Sequence, residues 1–264
     1  MTTEFIPRDY LAAGIELIQR EDGCALLYEP GSGKTVTALT ALRPPYLVVA
    51  PKMVAQEVWT REAAKWSHTE NLRVVLFDAS VFDYKRKVTS SAIMGSECRE
   101  IVLPGTPEDQ DFLMCADVVV DRYELIPAAR PSDILSVQAD IYVVSRDHLY
   151  VLAKLLGDKW PWHTVLVDES TMFKNHDSTR SKTMDYLRRH KLVKKLVLMT
   201  GTPSPKGIEN LWAQVRLLDG GKRLGKTLTA FRSRFMVPGD RNKKRIFNWR
   251  AKPGARDEVT RLIS

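Results

Sequence analysis

Six short, mostly apolar runs constrain this chain more than any other feature: Cys24–Tyr28, Tyr46–Ala50, Arg73–Phe77, Ile141–Ser145, Thr164–Asp168 and Leu196–Thr200. A strand with one face in water alternates apolar and polar residues, whereas a strand covered on both faces reads as a continuous apolar run. Between these runs lie segments with helical spacing: Arg8–Arg20, Lys34–Leu42, Met53–Trp66, Leu149–Leu156, Ser178–His190 and Ile208–Leu218. Strands separated by helices predict an α/β fold, a mostly parallel sheet with helices on both faces.

Two regions break this alternation. Asp78–Leu135 carries eleven acids against six bases and reads as an acidic insertion (residues 78–135) between the third and fourth strands. Its segment CADVVVDRYEL is a candidate extra strand. Gly220–Arg256 holds twelve Lys and Arg against one acid, Asp240, and shows no clear buried strand. The expected organisation is therefore a domain over 1–219 and a basic tail over 220–264. The helical pattern begun near Gly254 breaks off at Ser264, which predicts that the natural polypeptide continues. The whole chain carries a formal +8. A stretch as basic as the tail points to a polyanion, usually nucleic acid, with a solvated face as the alternative. No apolar run approaches the ~18 residues of a membrane span. Neither a signal-peptide pattern at the start nor a disulfide or zinc spacing among Cys24, Cys98 and Cys115 is present, so a reducing cytoplasm is expected.

The strict phosphate-loop pattern G-x-x-x-x-G-K-[ST] occurs once, at Gly220–Thr227. It follows NLWAQVRLLD, which reads as a helix. A phosphate loop must instead leave a buried strand and open a helix, so that backbone N–H groups and the helix N-terminus converge on the anion. CALLYEPGSGKTVTALTAL meets that requirement, although Tyr28 replaces the first glycine. In it Gly31 and Gly33 permit positive φ, Lys34 reaches toward β- and γ-phosphates, and Thr35 is a ligand type suited to Mg²⁺. WHTVLVDES ends a strand on Asp168 and Glu169, where ligands bind in parallel sheets. Asp168 is expected to hold Mg²⁺ through water, with Glu169 as the base for the attacking water. A third strand-to-turn element, KLVLMTGTPSP, brings Thr200, Gly201 and Thr202 as coupling residues; the alternative is a plain turn.

These elements, in this order, resemble the first RecA-like lobe of superfamily 2 helicases of the Swi/Snf-like type, phage and prophage helicases in particular. PRDYLAAG is similar to the segment before the nucleotide site, with Arg8, Tyr10 and Gly14 in place. YEPGSGKT resembles motif I, including Glu29, Pro30 and Ser32. LVVAPKMVAQEVWTREAAKW is similar to motif Ia, IYVVSRDHL to motif Ib, VLVDESTMFKN to motif II and LMTGTPSPKGIENLWAQVRLLDGG to motif III with its sequel. Leu11 stands where that family has an adenine-reading glutamine.

The resemblance implies a RecA-like P-loop fold and ATP with Mg²⁺ as cofactors. It implies DNA as partner through Lys52, Ser145 and Arg146, with little sequence preference. It also implies a second RecA-like lobe, in cis or on another chain, and a phage or bacterial-host cytoplasm. The motifs of that second lobe are missing, so hydrolysis by this chain alone is expected to be slow or absent. The expected function is thus the ATP-binding lobe of a DNA helicase or translocase; a nucleotide-gated binding module without turnover is the alternative. Phe231 and Phe235, four apart, are expected on a helix face docked on the core rather than stacked on bases. Trp59 and Trp66, seven apart, are likewise expected in the core.

Overall fold

The computed structural model describes residues 2–77, 85–87, 123–125, 131–202, 207–240 and 248–263. Its centre is a six-stranded, wholly parallel sheet of β1 (Gly23–Leu26), β2 (Tyr46–Ala50), β3 (Val74–Phe77), β6 (Ile141–Ser145), β7 (Thr164–Asp168) and β8 (Lys195–Met199). These lie in the order β1-β8-β7-β2-β6-β3. Every residue of β2 and β6 is buried, which is why those segments read as continuous apolar runs.

One face is covered by α1 (Asp9–Arg20), α2 (Lys34–Ala41) and α3 (Lys52–Lys65), with Ile18, Leu39 and Trp59 packed on Val48, Val143 and Leu166. The α4 helix (Pro131–Ser136), α5 (Leu149–Leu156), α6 (Thr179–Arg189) and α7 (Glu209–Asp219) contribute to the other face. There Leu152, Trp162, Phe173 and Met184 meet Val49, Val144 and Val167. Ser178 caps α6, its side chain accepting the Ser181 N–H. Among the described residues no helix is long and apolar enough to cross a membrane.

Most of the acidic insertion lies outside the described residues. Of its candidate extra strand, Tyr123–Leu125 forms β5, which pairs antiparallel with β4 (Lys85–Lys87). The basic segment contributes no fully buried strand: of its two three-residue strands only Met236 is buried. It folds as α8 (Leu228–Phe235), β9 (Met236–Pro238), β10 (Trp249–Ala251) and α9 (Ala255–Ile263), with β9 and β10 antiparallel. Three-residue strands are too short to show a periodicity. Phe231 and Phe235 are fully buried, as their spacing indicated. With Trp212, Met236 and Val259 they form a third core on α7.

Candidate functional site

Sheet register assembles the site. Leu26 of β1 pairs with Met199 of β8, and Met199 pairs with Asp168 of β7, so three strands end level with one another. The Thr200 N–H continues the ladder by donating to Leu26 C=O at 3.1 Å. From these ends depart the Glu29–Gly33 turn, the Asp168–Glu169 pair and the Thr200–Thr202 turn. This is the C-terminal edge, where α/β sheets bind ligands.

The glycine turn is built for close backbone approach. Gly31 has φ 77° and Gly33 φ 92°, and Gly33 is the N-cap of α2, so Lys34 and Thr35 open the helix with its unpaired N–H groups. Lys34 Nζ donates to the carbonyls of Tyr28 (2.8 Å) and Glu29 (2.7 Å), across its own loop. Burial pulls the Lys34 ammonium below its ordinary pKa, while the charges of Asp168 and Glu169 push it back up. Lys34 and the carboxylate pair are thus within electrostatic reach of one another. Tyr28 does not behave as a damaged glycine position. Its hydroxyl donates to Tyr10 C=O at 2.9 Å, and Tyr10 OH donates to Ser32 C=O at 3.0 Å, lacing α1 to both ends of the loop. A Cβ on Gly14 would come within 2.7 Å of Tyr28 OH, which explains a glycine inside α1.

Asp168 is partly buried at the end of β7. Burial raises its pKa and the Glu169 charge adds to the rise; a hydrogen bond from Trp59 and the charge of Lys34 oppose it. Glu169 adopts left-handed backbone angles, φ 66° and ψ 68°, costly for a residue with a Cβ. Its Oε1 accepts two hydroxyls, Thr171 Oγ1 and Thr200 Oγ1, each at 2.6 Å. Thr200 Oγ1 in turn accepts the Thr202 N–H at 3.1 Å. Gly201 lies against the Glu29–Gly33 turn, where an added Cβ would fall 2.8 Å from Pro30 Cδ. One carboxylate oxygen of Glu169 is therefore fixed by the turns after β7 and β8, and the turn after β8 touches the loop after β1.

Beside the loop opens a cavity of about 590 Å³, whose walls include Phe5, Arg8, Tyr10, Leu11, Val58 and Trp66. Leu11 is buried and packs under Gly33, a body contact where the resembled family has an amide. Trp66 departs from its expected core position. It follows the last residue of α3, meets Phe5 edge-on at 5.3 Å and lines this cavity; only Trp59 of the pair is core. A second cavity, about 680 Å³, runs along the outer edge of β1, away from the carboxylates. Its Arg20, Arg188 and Arg223 are held by Glu21, the Leu218 C=O and Asp219.

The remaining expected residues divide. Lys52 is exposed at the start of α3, and Arg146 is half-exposed just past β6, its N–H bonded to Ala50 C=O at 2.8 Å. The two cations therefore stand on neighbouring strand ends. Ser145 is buried with its hydroxyl 3.1 Å from His148 Nδ1, so it orders the turn beneath them. The rival glycine loop follows α7, not a strand. The Asp219 carboxylate accepts its N–H groups at Gly221 (2.7 Å), Lys222 (3.2 Å) and Arg223 (3.1 Å), so the chain supplies its own anion there. Trp59, Thr171 and Asp219 went unnoticed as functional contacts in the sequence. For Thr171 the available signal was a hydroxyl two residues after the second carboxylate.

A family model described as the SNF2-related domain matches residues 11–252. Putative protein p41 of Acyrthosiphon pisum secondary endosymbiont phage 1 is 33% identical over 217 residues, covering 78% of this chain and 37% of that protein. The probable ATP-dependent DNA helicase CHR12 of Arabidopsis thaliana is 26% identical over 72% of this chain and 14% of its own length. This chain thus spans well under half of these relatives. In fold it is similar to the Sulfolobus solfataricus SWI2/SNF2 ATPase core solved in complex with dsDNA. That match has a TM-score of 0.59 and 19% identity, over 98% of this chain and 43% of that one. Six parallel strands, a glycine turn and paired carboxylates at one sheet edge, and a family match over most of the length agree: the chain belongs to the SNF2-related domain family.

Proposed function

We propose that this chain is the nucleotide-binding lobe of an ATP-driven motor that moves along DNA, completed by a second RecA-like lobe in cis or on another chain. The observation that carries the reading is the level ending of β1, β7 and β8. It brings the turn before Lys34 and the Asp168–Glu169 pair to one sheet edge, within electrostatic reach of each other, and links Glu169 to Thr200. The donor set fits a magnesium–triphosphate: N–H groups at a helix N-terminus, one desolvated ammonium, a hydroxyl at Thr35 and a strand-end carboxylate. Gly31–Lys34 would hold the phosphates, and Thr35 and Asp168 the metal. Bound Mg²⁺ would supply charge neutralisation along the phosphates. Glu169, pinned at one oxygen, keeps the other for a water proton. The cavity beside Arg8 and Tyr10 suits the base. DNA as the track is supported by Lys52 and Arg146 on adjacent strand ends and by the dsDNA complex of the Sulfolobus neighbour.

The experiment is Glu169→Gln in a protein that carries both lobes. Nucleotide binding is expected to persist while DNA-stimulated hydrolysis falls at least ~100-fold, the usual contribution of a positioned base. Turnover equal to the parent would remove Glu169 from that role, and an absence of turnover in the parent itself would favour a nucleotide-gated binding module.

A further inference from the structure

Trp59 lies in the middle of α3, fully buried in the core between that helix and the sheet. A buried indole packs well, but its N–H needs an acceptor. The acceptor here is Asp168 Oδ2 at 3.2 Å, 109 positions along the chain. Among the described residues Trp59 is the side chain that donates to this carboxylate. A carboxylate at a strand end has two side-chain torsions to settle, and each donor narrows them. The Glu169 backbone N–H also bonds this carboxylate, and the indole adds a side-chain donor that fixes Oδ2 from the core side, the relation that outer partners have to metal-holding groups.

We propose that Trp59 is a positioning residue for the divalent cation: its indole N–H holds the Asp168 carboxylate in the orientation that metal binding requires. The proposal rests on the reading of Asp168 as the metal-holding carboxylate. It assigns α3 a second task besides covering the sheet. The helix begins at Lys52, seven residues before Trp59 or about 10 Å along its axis at about 1.5 Å per residue. Lys52 and Trp59 therefore lie on one rigid element, the first at the exposed strand ends and the second against the carboxylate.

Trp59→Phe tests this, because the phenyl ring retains much of the apolar packing and removes the N–H. The 264-residue chain would be titrated with Mg²⁺ by calorimetry at a fixed, saturating concentration of a non-hydrolysable ATP analogue. The analogue alone would be titrated in excess chelator, with a thermal melt alongside. The proposal predicts that apparent Mg²⁺ affinity falls about 10-fold while metal-free analogue affinity stays at the parent value. Unchanged Mg²⁺ affinity would overturn it. An equal fall in both affinities would also overturn it, since that is what a loosened core does. Asp168→Asn is run in parallel. If Asp168→Asn leaves Mg²⁺ affinity untouched, the metal-holding reading fails and the Trp59 proposal with it; if only Trp59→Phe is silent, the reading stands and the proposal alone falls.

Discussion

Glu169 concentrates the site's cost and its purpose in one residue. Left-handed backbone at a residue with a Cβ costs about 1–3 kcal/mol and persists only where its surroundings enforce it. Two threonine hydroxyls on one carboxylate oxygen supply part of that enforcement. Cys24 shows the opposite use of burial. It lies in β1 with 5% of its surface exposed, and burial pushes its thiol up to about 11, against a smaller opposing pull from Lys195. The folded pKa exceeds the unfolded one, so this contribution to stability is complete below pH 9. It fades as pH rises from 9 toward about 11, where the unfolded chain releases its proton first. In a chain whose Cys98 and Cys115 are replaced by serine, Cys24 is expected to resist a thiol reagent at pH 8 while folded and to react at once in denaturant. Fast labelling of the folded chain would contradict the burial. The places of Lys34, after a glycine turn at the start of a helix, and of Asp168 and Glu169, at the end of a strand, were legible in the local pattern. The hydrogen bonds of Trp59 and Thr171 were not, because they join partners brought together by the fold.

At the level of elements, the two glycine-rich loops share chemistry and differ in what precedes them. Gly31 and Gly33 follow β1 and open α2 at the sheet edge that carries two carboxylates; Gly220, Gly221 and Gly225 follow α7, and Asp219 takes the N–H groups of Gly221, Lys222 and Arg223. Sequence context separated them, since a helix before the loop cannot aim it at the sheet edge. It did not show that Asp219 fills the second loop. Asp219→Ala is expected to destabilise the chain by about 1–3 kcal/mol, because N–H groups and the Arg223 guanidinium lose a partly buried acceptor. A denaturant melt measures this, and a shift within error would mean that the loop holds its shape without the carboxylate. Strands β2, β6 and β7 matched the apolar runs residue for residue. The β1 strand stops at Leu26 rather than Tyr28, because Tyr28 turns away to bond α1. Helix–sheet packing overrides local pattern at that point.

For the whole molecule, much of the basic segment's charge is paired within the chain among the described residues. Of its eight described Lys and Arg, Arg223, Arg232, Arg234 and Arg250 pair with Asp219, Glu209, Glu258 and Asp240. Lys252 donates to the Ser233 and Arg234 carbonyls. These groups tie α7, α8, α9 and the β9–β10 hairpin together and cannot all neutralise phosphates. Composition alone could not reveal that, because it counts bases without their partners. The nucleic-acid surface is therefore expected to centre on Lys52 and Arg146. Binding to duplex DNA should weaken steeply with salt, by about 0.9 in log–log slope per phosphate neutralised. Lys52→Ala and Arg146→Ala should each flatten that slope by about one, equally for unrelated sequences. Fluorescence anisotropy over a salt series checks both, and salt-independent binding would contradict backbone tracking.

The claim on which the rest depends is that the Glu29–Thr35 loop, not the perfect-match loop at Gly220, receives the nucleotide. Calorimetric titration of the parent chain, Lys34→Ala and Lys226→Ala with a non-hydrolysable ATP analogue and Mg²⁺ tests it directly. Binding is expected in the parent and in Lys226→Ala with closely similar affinity, and a loss of about 100-fold or more in Lys34→Ala, since one charge-assisted contact to phosphate contributes up to about 3 kcal/mol. Undiminished binding in Lys34→Ala, or its loss in Lys226→Ala, would contradict the account.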